Sequence, residues 1–255
     1  MNDGERKLLA RIDDVDLAFG ERIVLRNCSL DIKQGAITCI IGLSGAGKST
    51  ILRLLDGLIP PDTGHIYLLG QDLCHMSEDK VNQLRQKIGF SFQFAALLDS
   101  LTVGENVALP LEEHSKLSRS EIRRTVLDAL DSVGLLHAYD DLPAELSGGM
   151  LKRAGFARAI VTRPELVLYD EPTTGLDPIV SKLITETILK LRAKLSGTAV
   201  VISHDLPSIF AMADYIAMLF EGAIIAYDTA DRIRNSSNPI VQQFLQGSEA
   251  GPIPI

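Results

Sequence analysis

Apolar and polar residues take turns along the first strand-like stretch. In LLARIDDVDLAF (8–19), Val15, Leu17 and Phe19 fall on one side, and IVLRNCSLDI (23–32) has the same alternation. Two period-two runs around Gly20-Glu21 predict an antiparallel hairpin. AITCII (36–41) is continuously apolar and β-branched, the pattern of a strand covered on both faces. Helical periodicity follows in KSTILRLLDGL, and HIYLLG (65–70) reads as another short strand. Between about 95 and 160 the pattern turns helical. Ser118 and Glu121 have capping-box spacing, and behind them Ile122, Val126, Leu127, Leu130 and Val133 share one helix face that ends at Gly134. The strand–helix rhythm then returns, with LVLY (166–169) a strand, 179–195 a helix, TAVVIS (198–203) a strand and 206–213 a short helix. YIAMLFEGAIIAY (215–227) divides at Glu221-Gly222 into two short strands. No internal repeat or low-complexity linker interrupts the chain, and the tail GSEAGPIPI (247–255) is expected to be extended or loosely held. The predicted class is α/β, with an antiparallel β region at the start and a helical insert.

Composition narrows the function. The chain has 255 residues, long for one domain but not clearly two, with 46% hydrophobic and 23% charged residues, enough for a sizeable core. A net charge of −8 argues against a general nucleic-acid binder. Cys28, Cys39 and Cys74 form no CxxC pair and read as reduced, buried residues of a cytoplasmic protein. No Cys/His cluster has zinc-ligand spacing, so no zinc site is expected. MNDGERKLLARIDD carries charges without an apolar core, so no signal peptide is expected, and no run reaches the ~18 apolar residues of a membrane span.

Two stretches carry phosphate chemistry. GLSGAGKST spans Gly42, Leu43, Ser44, Gly45, Ala46, Gly47, Lys48, Ser49 and Thr50, and matches GxxxxGK[ST] between a buried strand and a helix. The glycines let successive N–H groups face phosphate oxygens, Lys48 can reach the β- and γ-phosphates, and the Ser49 hydroxyl can hold Mg²⁺. LVLYDEP (166–172) is an apolar strand ending in two carboxylates. Asp170 can orient Mg²⁺ or its water, and Glu171 can polarise a water in line with the γ-phosphate. His204, in ISHD, can sense the γ-phosphate or hold the attacking water. Gln93, in GFSFQF, can ligate Mg²⁺ or orient water. Phe19 can stack on adenine. Taken alone, His204 and Gln93 read first as ordinary strand-end residues, and Phe19 as one more position of an alternating strand face. LSGGMLKRAGFARA (146–159) opens a helix with Ser147, Gly148 and Gly149 and carries Lys152, Arg153 and Arg158, the chemistry of an anion-binding helix N-terminus. Gly155 inside that helix costs up to ~1 kcal/mol.

The order of these motifs (Walker A, glutamine loop, LSGG, Walker B, TGLD at 174–177, histidine) resembles the ATP-binding-cassette ATPases over about 8–235. The resemblance implies a P-loop fold with a mixed or parallel core sheet. It implies one domain divided at about 1–92, 93–160, 161–235 and 236–255. ATP and Mg²⁺ are its implied cofactors. In that family LSGG caps the γ-phosphate held by a second subunit, which implies a head-to-tail homodimer with two composite sites. It further implies Glu171, His204 and Lys48 as catalytic residues, Asp177 as a residue of communication across the dimer, and Gln93 as the link to a multi-span permease gripped by the helical insert.

Met150 stands where the family usually has glutamine. LSGGM, the segment 92–114 and NPIVQQFLQGSEAGPIP (238–254) resemble the cassettes of MCE-associated, Mla-type phospholipid transporters. That subfamily implies an MCE-domain protein and a small STAS-like subunit as partners, no nucleic acid, and a peripheral place on the cytoplasmic face of the inner membrane. The motor of another ABC transporter, such as a polar-solute importer, is the alternative reading. A soluble cassette of DNA repair or translation would carry a long coiled-coil insert or a second cassette. A binding-only cassette sits poorly with intact Lys48, Asp170, Glu171 and His204.

Overall fold

The structure, a computed structural model, describes residues 6–254. The first five residues of MNDGERKLLARIDD and the terminal Ile255 lie outside it. The chain runs through β1 (Leu8–Phe19), β2 (Arg22–Lys33), β3 (Ile37–Ile41), α1 (Lys48–Leu55), β4 (Thr63–Leu68), β5 (Gln71–Asp72), α2 (Glu78–Arg85), β6 (Ile88–Ser91) and α3 (Val103–His114). It continues through α4 (Arg119–Ser132), α5 (Gly148–Ile160), β7 (Leu166–Asp170), α6 (Pro178–Leu195), β8 (Thr198–Ile202), α7 (Leu206–Met212), β9 (Tyr215–Phe220), β10 (Ala223–Thr229), α8 (Ala230–Arg234) and α9 (Pro239–Gln246). Two compact units result, one from residues up to Ser77 together with those from Val200 on, the other Glu78–Ala199.

In the first unit β1 and β2 form the predicted hairpin, and β4 and β5 extend it in the order β2-β1-β4-β5, all antiparallel. The alternation buries Ile12, Val15, Leu17, Leu25 and Leu30 on one face. Phe19 departs from that face and is 52% exposed, because it sits at the hairpin end beyond the packed positions. β3 is buried at all five positions and pairs in parallel with β9, which pairs antiparallel with β10. The β9–β10 turn is the dipeptide read from sequence: Glu221 (φ 48°) and Gly222 (φ 82°) both take the left-handed region that a tight hairpin of this hand requires.

Two expectations are corrected in this unit. Cys28 and Cys39 are buried, and burial pushes the Cys28 thiol up to about 12, but Cys74 is exposed on a short 3-10 turn over 73–75. The tail is not loosely held. Gln243 is buried on α9; its Nε2 donates to the Ser248 and Ile253 carbonyls, both at 3.2 Å, and its Oε1 accepts from the Ile253 N–H at 2.7 Å. Ile253 is thereby buried at 6% exposure. His65, Asp72 and His75 are brought together although their spacing resembles no familiar ligand motif.

The second unit pairs β6 with β7 in parallel. Its helical part starts at two capping boxes, the predicted Ser118/Glu121 box on α4 and a second, Thr102/Glu105, on α3. Val126, Ala129, Leu130 and Val133 are buried as the helical period requires, while Ile122 and Leu127 are half-buried. Asn106 is fully buried and satisfied. Its Nδ2 donates to the carbonyls of Leu98, Leu101 and Thr102, and its Oδ1 accepts from the Leu98 N–H at 2.7 Å, which fixes the turn before α3. Among the described residues, no helix is long and apolar enough to cross a membrane.

Candidate functional site

The first unit holds the glycine loop between β3 and α1. Gly42 (φ 148°) and Gly47 (φ 103°) are the positions where glycine is required. A Cβ on Gly42 would lie 2.2 Å from the Leu219 carbonyl oxygen, and one on Gly47 would lie 2.9 Å from Val24 Cγ1. The loop is therefore pressed against β9 and β2 while Leu43, Ser44 and Gly45 stay exposed. Lys48 opens α1, and its buried ammonium donates back to the carbonyls of Gly42 and Leu43, each at 2.9 Å. A cation thus sits inside a loop whose N–H groups and helix N-terminus are electropositive, a donor set suited to a polyphosphate. Arg22 Nη2 donates to the Gly45 carbonyl at 3.2 Å and lines, with Gly45, Ala46 and Glu221, a cavity of about 360 Å³. Sequence reasoning missed Arg22, since no motif includes the residue after the turn of the first hairpin. Phe19 and His204 also belong to this unit, and both are exposed.

The second unit holds the carboxylates. β7 is buried through Tyr169, whose ring meets Phe156 of α5 edge-on at 5.0 Å, and then presents Asp170 and Glu171 half-exposed. Glu171 takes φ 50°, a left-handed conformation costly for a non-glycine residue. Its Oε2 accepts from Thr174 Oγ1 at 2.9 Å. By sequence Thr174 is only the start of TGLD, and this bond gives it a contact with Glu171.

The LSGG helix corrects one reading. Ser147 caps α5 by accepting from the Met150 N–H at 3.4 Å, but the cations behind it are not aimed at an anion. Lys152 donates to the carbonyls of Gln93 and Glu171, the latter at 3.2 Å. Burial holds its ammonium below the usual lysine range, against the pull of Glu171 and Asp170. Arg153 donates to the carbonyls of Val133 at 2.8 Å and Gly134 at 3.3 Å. Arg158 donates to those of Ala96 and Ala95, both at 2.6 Å, in a stretch where both alanines take positive φ. Gly155 now has a reason: a Cβ there would lie 3.2 Å from Ala95 Cβ, so the glycine permits this close approach. Gly149 plays the same part toward α6, where a Cβ would lie 2.6 Å from Val180 Cγ1. Asp177 caps α6, accepting from the N–H groups of Ile179 and Val180 at 2.9 and 3.0 Å.

In the second unit, then, α5 gathers the Gln93 segment, the end of β7 and the start of α6. Beside that segment Phe92 and Leu98 are exposed and Phe94 is 84% exposed. A cleft of about 450 Å³ lined by Arg85, Phe90, Pro110, His114 and Arg158 lies in the same unit.

Residues 25–174 match the sequence model of the ABC transporter family. The intermembrane phospholipid transport system ATP-binding protein MlaF of Haemophilus influenzae is 39% identical, over 96% of this chain and 93% of that one. MlaF of Escherichia coli K12 is 40% identical, over 96% of this chain and 91% of that one. A dimeric structure of the ATP-binding cassette MJ0796, in a post-hydrolysis state bound to ADP and Pi, superposes with a TM-score of 0.79 at 32% identity, covering 87% of this chain and 98% of that one. With that family match and these relatives along nearly its whole length, the chain belongs to the ABC transporter family as an ATP-binding cassette ATPase.

Proposed function

We propose that this chain is the ATP-hydrolysing subunit of a transporter that moves phospholipid between membranes. It works as a head-to-tail dimer bound peripherally to a membrane-spanning permease on the cytoplasmic face of the inner membrane. The lipid assignment rests on the two MlaF relatives. An MCE-domain protein and a small STAS-like subunit are the further partners of this reading.

The chemistry follows from the residues. Gly42–Thr50 hold the ATP phosphates through loop N–H groups and Lys48, and Phe19, exposed at its strand end, stacks on adenine. Ser49, Gln93 and Asp170 are the residues that would hold Mg²⁺, which when bound neutralises charge on the β- and γ-phosphates. The tight glycine loop with an inward lysine, in which a Cβ at Gly42 would meet backbone at 2.2 Å, fits such a polyphosphate. Glu171 takes the proton of the attacking water, and His204 orients that water toward the γ-phosphate. Ser147, Gly148 and Gly149 cap the γ-phosphate held by a second copy. Asp177, at the start of α6 beside Gly149, carries communication across the dimer.

One observation supports coupling to a partner more than any other: Lys152 bonds the carbonyls of both Gln93 and Glu171. A partner pressing on exposed Phe92, Phe94 and Leu98 displaces the Gln93 segment, and the same lysine passes that displacement to the catalytic carboxylate. The test is a pull-down of the tagged chain from gently solubilised host membranes. Co-purification of a polytopic permease with an MCE-domain protein is expected. A permease arriving with a periplasmic solute-binding protein would move the function to solute import.

A further inference from the structure

Independently of the ATPase reading, we infer that His65, Asp72 and His75 form a binding site for a divalent transition-metal ion of the zinc type. β4 buries Ile66 and Leu68, so the alternation turns His65 and Tyr67 to the opposite face. Antiparallel register sets Asp72 of β5 opposite Tyr67, one diagonal step from His65. The 3-10 turn over 73–75 then returns His75 to the same side, since residues three apart in such a turn eclipse. The outcome is one donor atom from each of the three residues, all within 4.8 Å of one another.

The cluster is built rather than accidental. Asp72 Oδ1 accepts from the Cys74 N–H at 3.0 Å, which fixes the carboxylate and leaves Oδ2 facing both rings. His65 Nδ1 lies 2.8 Å and His75 Nδ1 2.7 Å from that oxygen. The two imidazoles stack with centroids 5.4 Å apart, and Tyr67 also stacks with His65 at 5.9 Å. Around a tetrahedral ion with bonds of ~2.0–2.1 Å, donors stand roughly 3.3 Å apart. The two Asp72–imidazole distances lie about half an ångström short of that separation, and two imidazoles with a carboxylate are a donor set suited to zinc, nickel or copper. The His75 side chain is 73% and that of His65 44% exposed, so an ion has an entry path and the remaining position falls to water. A bound ion ties β4 to the turn after β5 and stabilises that edge of the sheet.

The test uses the full, untagged chain without nucleotide, titrated with Co²⁺ followed by absorption and then with Zn²⁺ followed by calorimetry. We expect visible ligand-field bands that Zn²⁺ abolishes, one site per chain, and a Tm raised by Zn²⁺. His75→Ala and Asp72→Asn should each weaken binding by more than about tenfold, since even groups one bond removed from a metal are worth ~10–100-fold. Both variants should keep the parent's circular dichroism and ATPase rate. Co²⁺ or Zn²⁺ uptake in the His65→Ala/His75→Ala double variant equal to the parent's, or no uptake by the parent, would overturn the assignment.

Discussion

Lys152 and Glu171 are separable at the level of single residues, because Lys152 bonds backbone carbonyls whereas the role proposed for Glu171 is on water. Lys152 gives up hydration to bond two carbonyls, and removing a buried partner of this kind costs about 1–3 kcal/mol. Lys152→Met is therefore expected to lower Tm and reduce kcat while leaving KM for ATP near the parent value. Lys152→Arg, which keeps a cation within reach of both carbonyls, should restore much of the rate. Glu171→Gln keeps the left-handed backbone and the backbone carbonyl, so its Tm should barely move while kcat falls by roughly 10²–10⁴, the usual worth of a general base. Steady-state kinetics beside thermal denaturation distinguishes the two. An equal loss of Tm in both variants would mean that Glu171 supports the fold as much as Lys152 does.

α5 is a helix whose hydrogen-bonding side chains act mostly on other segments. Its cations reach carbonyls in three of them, and its glycines at 149 and 155 let two of the neighbours approach to contact distance. α9 is held by a different device. Gln243 satisfies a backbone N–H and two carbonyls of the tail, so the tail is an extension of the helix's packing rather than a free end. Gln243→Leu keeps the volume but strands those groups, at a cost of about 1–3 kcal/mol. Hydrogen exchange at the Ile253 amide should quicken and proteolysis within 248–253 should rise, with the rest of α9 protected as before. Unchanged exchange at Ile253 would mean that the tail is held by Ile253 burial alone.

At the scale of the molecule, each compact unit carries a different part of the motif set. The glycine loop, Phe19 and His204 lie in one, while Gln93, LSGG, the carboxylates and Asp177 lie in the other. The chain has one copy of each motif. Under the proposed head-to-tail dimer, a mixture of Ser147→Arg and Lys48→Ala subunits produces one composite site with both defects and one with neither. Mixed dimers should recover ATP turnover that neither variant has by itself. Verified mixed dimers without recovered turnover would count against shared sites.

Local rules made much of this protein legible without a structure. The glycine loop follows a near-continuous apolar run that is buried throughout, the hairpin turn at Glu221-Gly222 needs two positive φ angles, and the Ser118 box announces α4. Each depends only on residues a few positions apart, where backbone sterics and side-chain period decide the outcome. Tertiary structure alone decided the rest. The partners of Lys152 lie 19 and 59 positions away along the chain and those of Arg158 62 and 63, so their basic charge suggested an anion where folding supplied carbonyls. Gln243 and the tail meet because Gly247 and Gly251 take positive φ, which redirects the chain after α9. His65, Asp72 and His75 share one face only because a strand register and a 3-10 turn combine, and spacing by itself encodes neither. Where chemistry follows the backbone of neighbouring residues, sequence determines it; where it depends on which distant carbonyl or ring is within 3 Å, packing does.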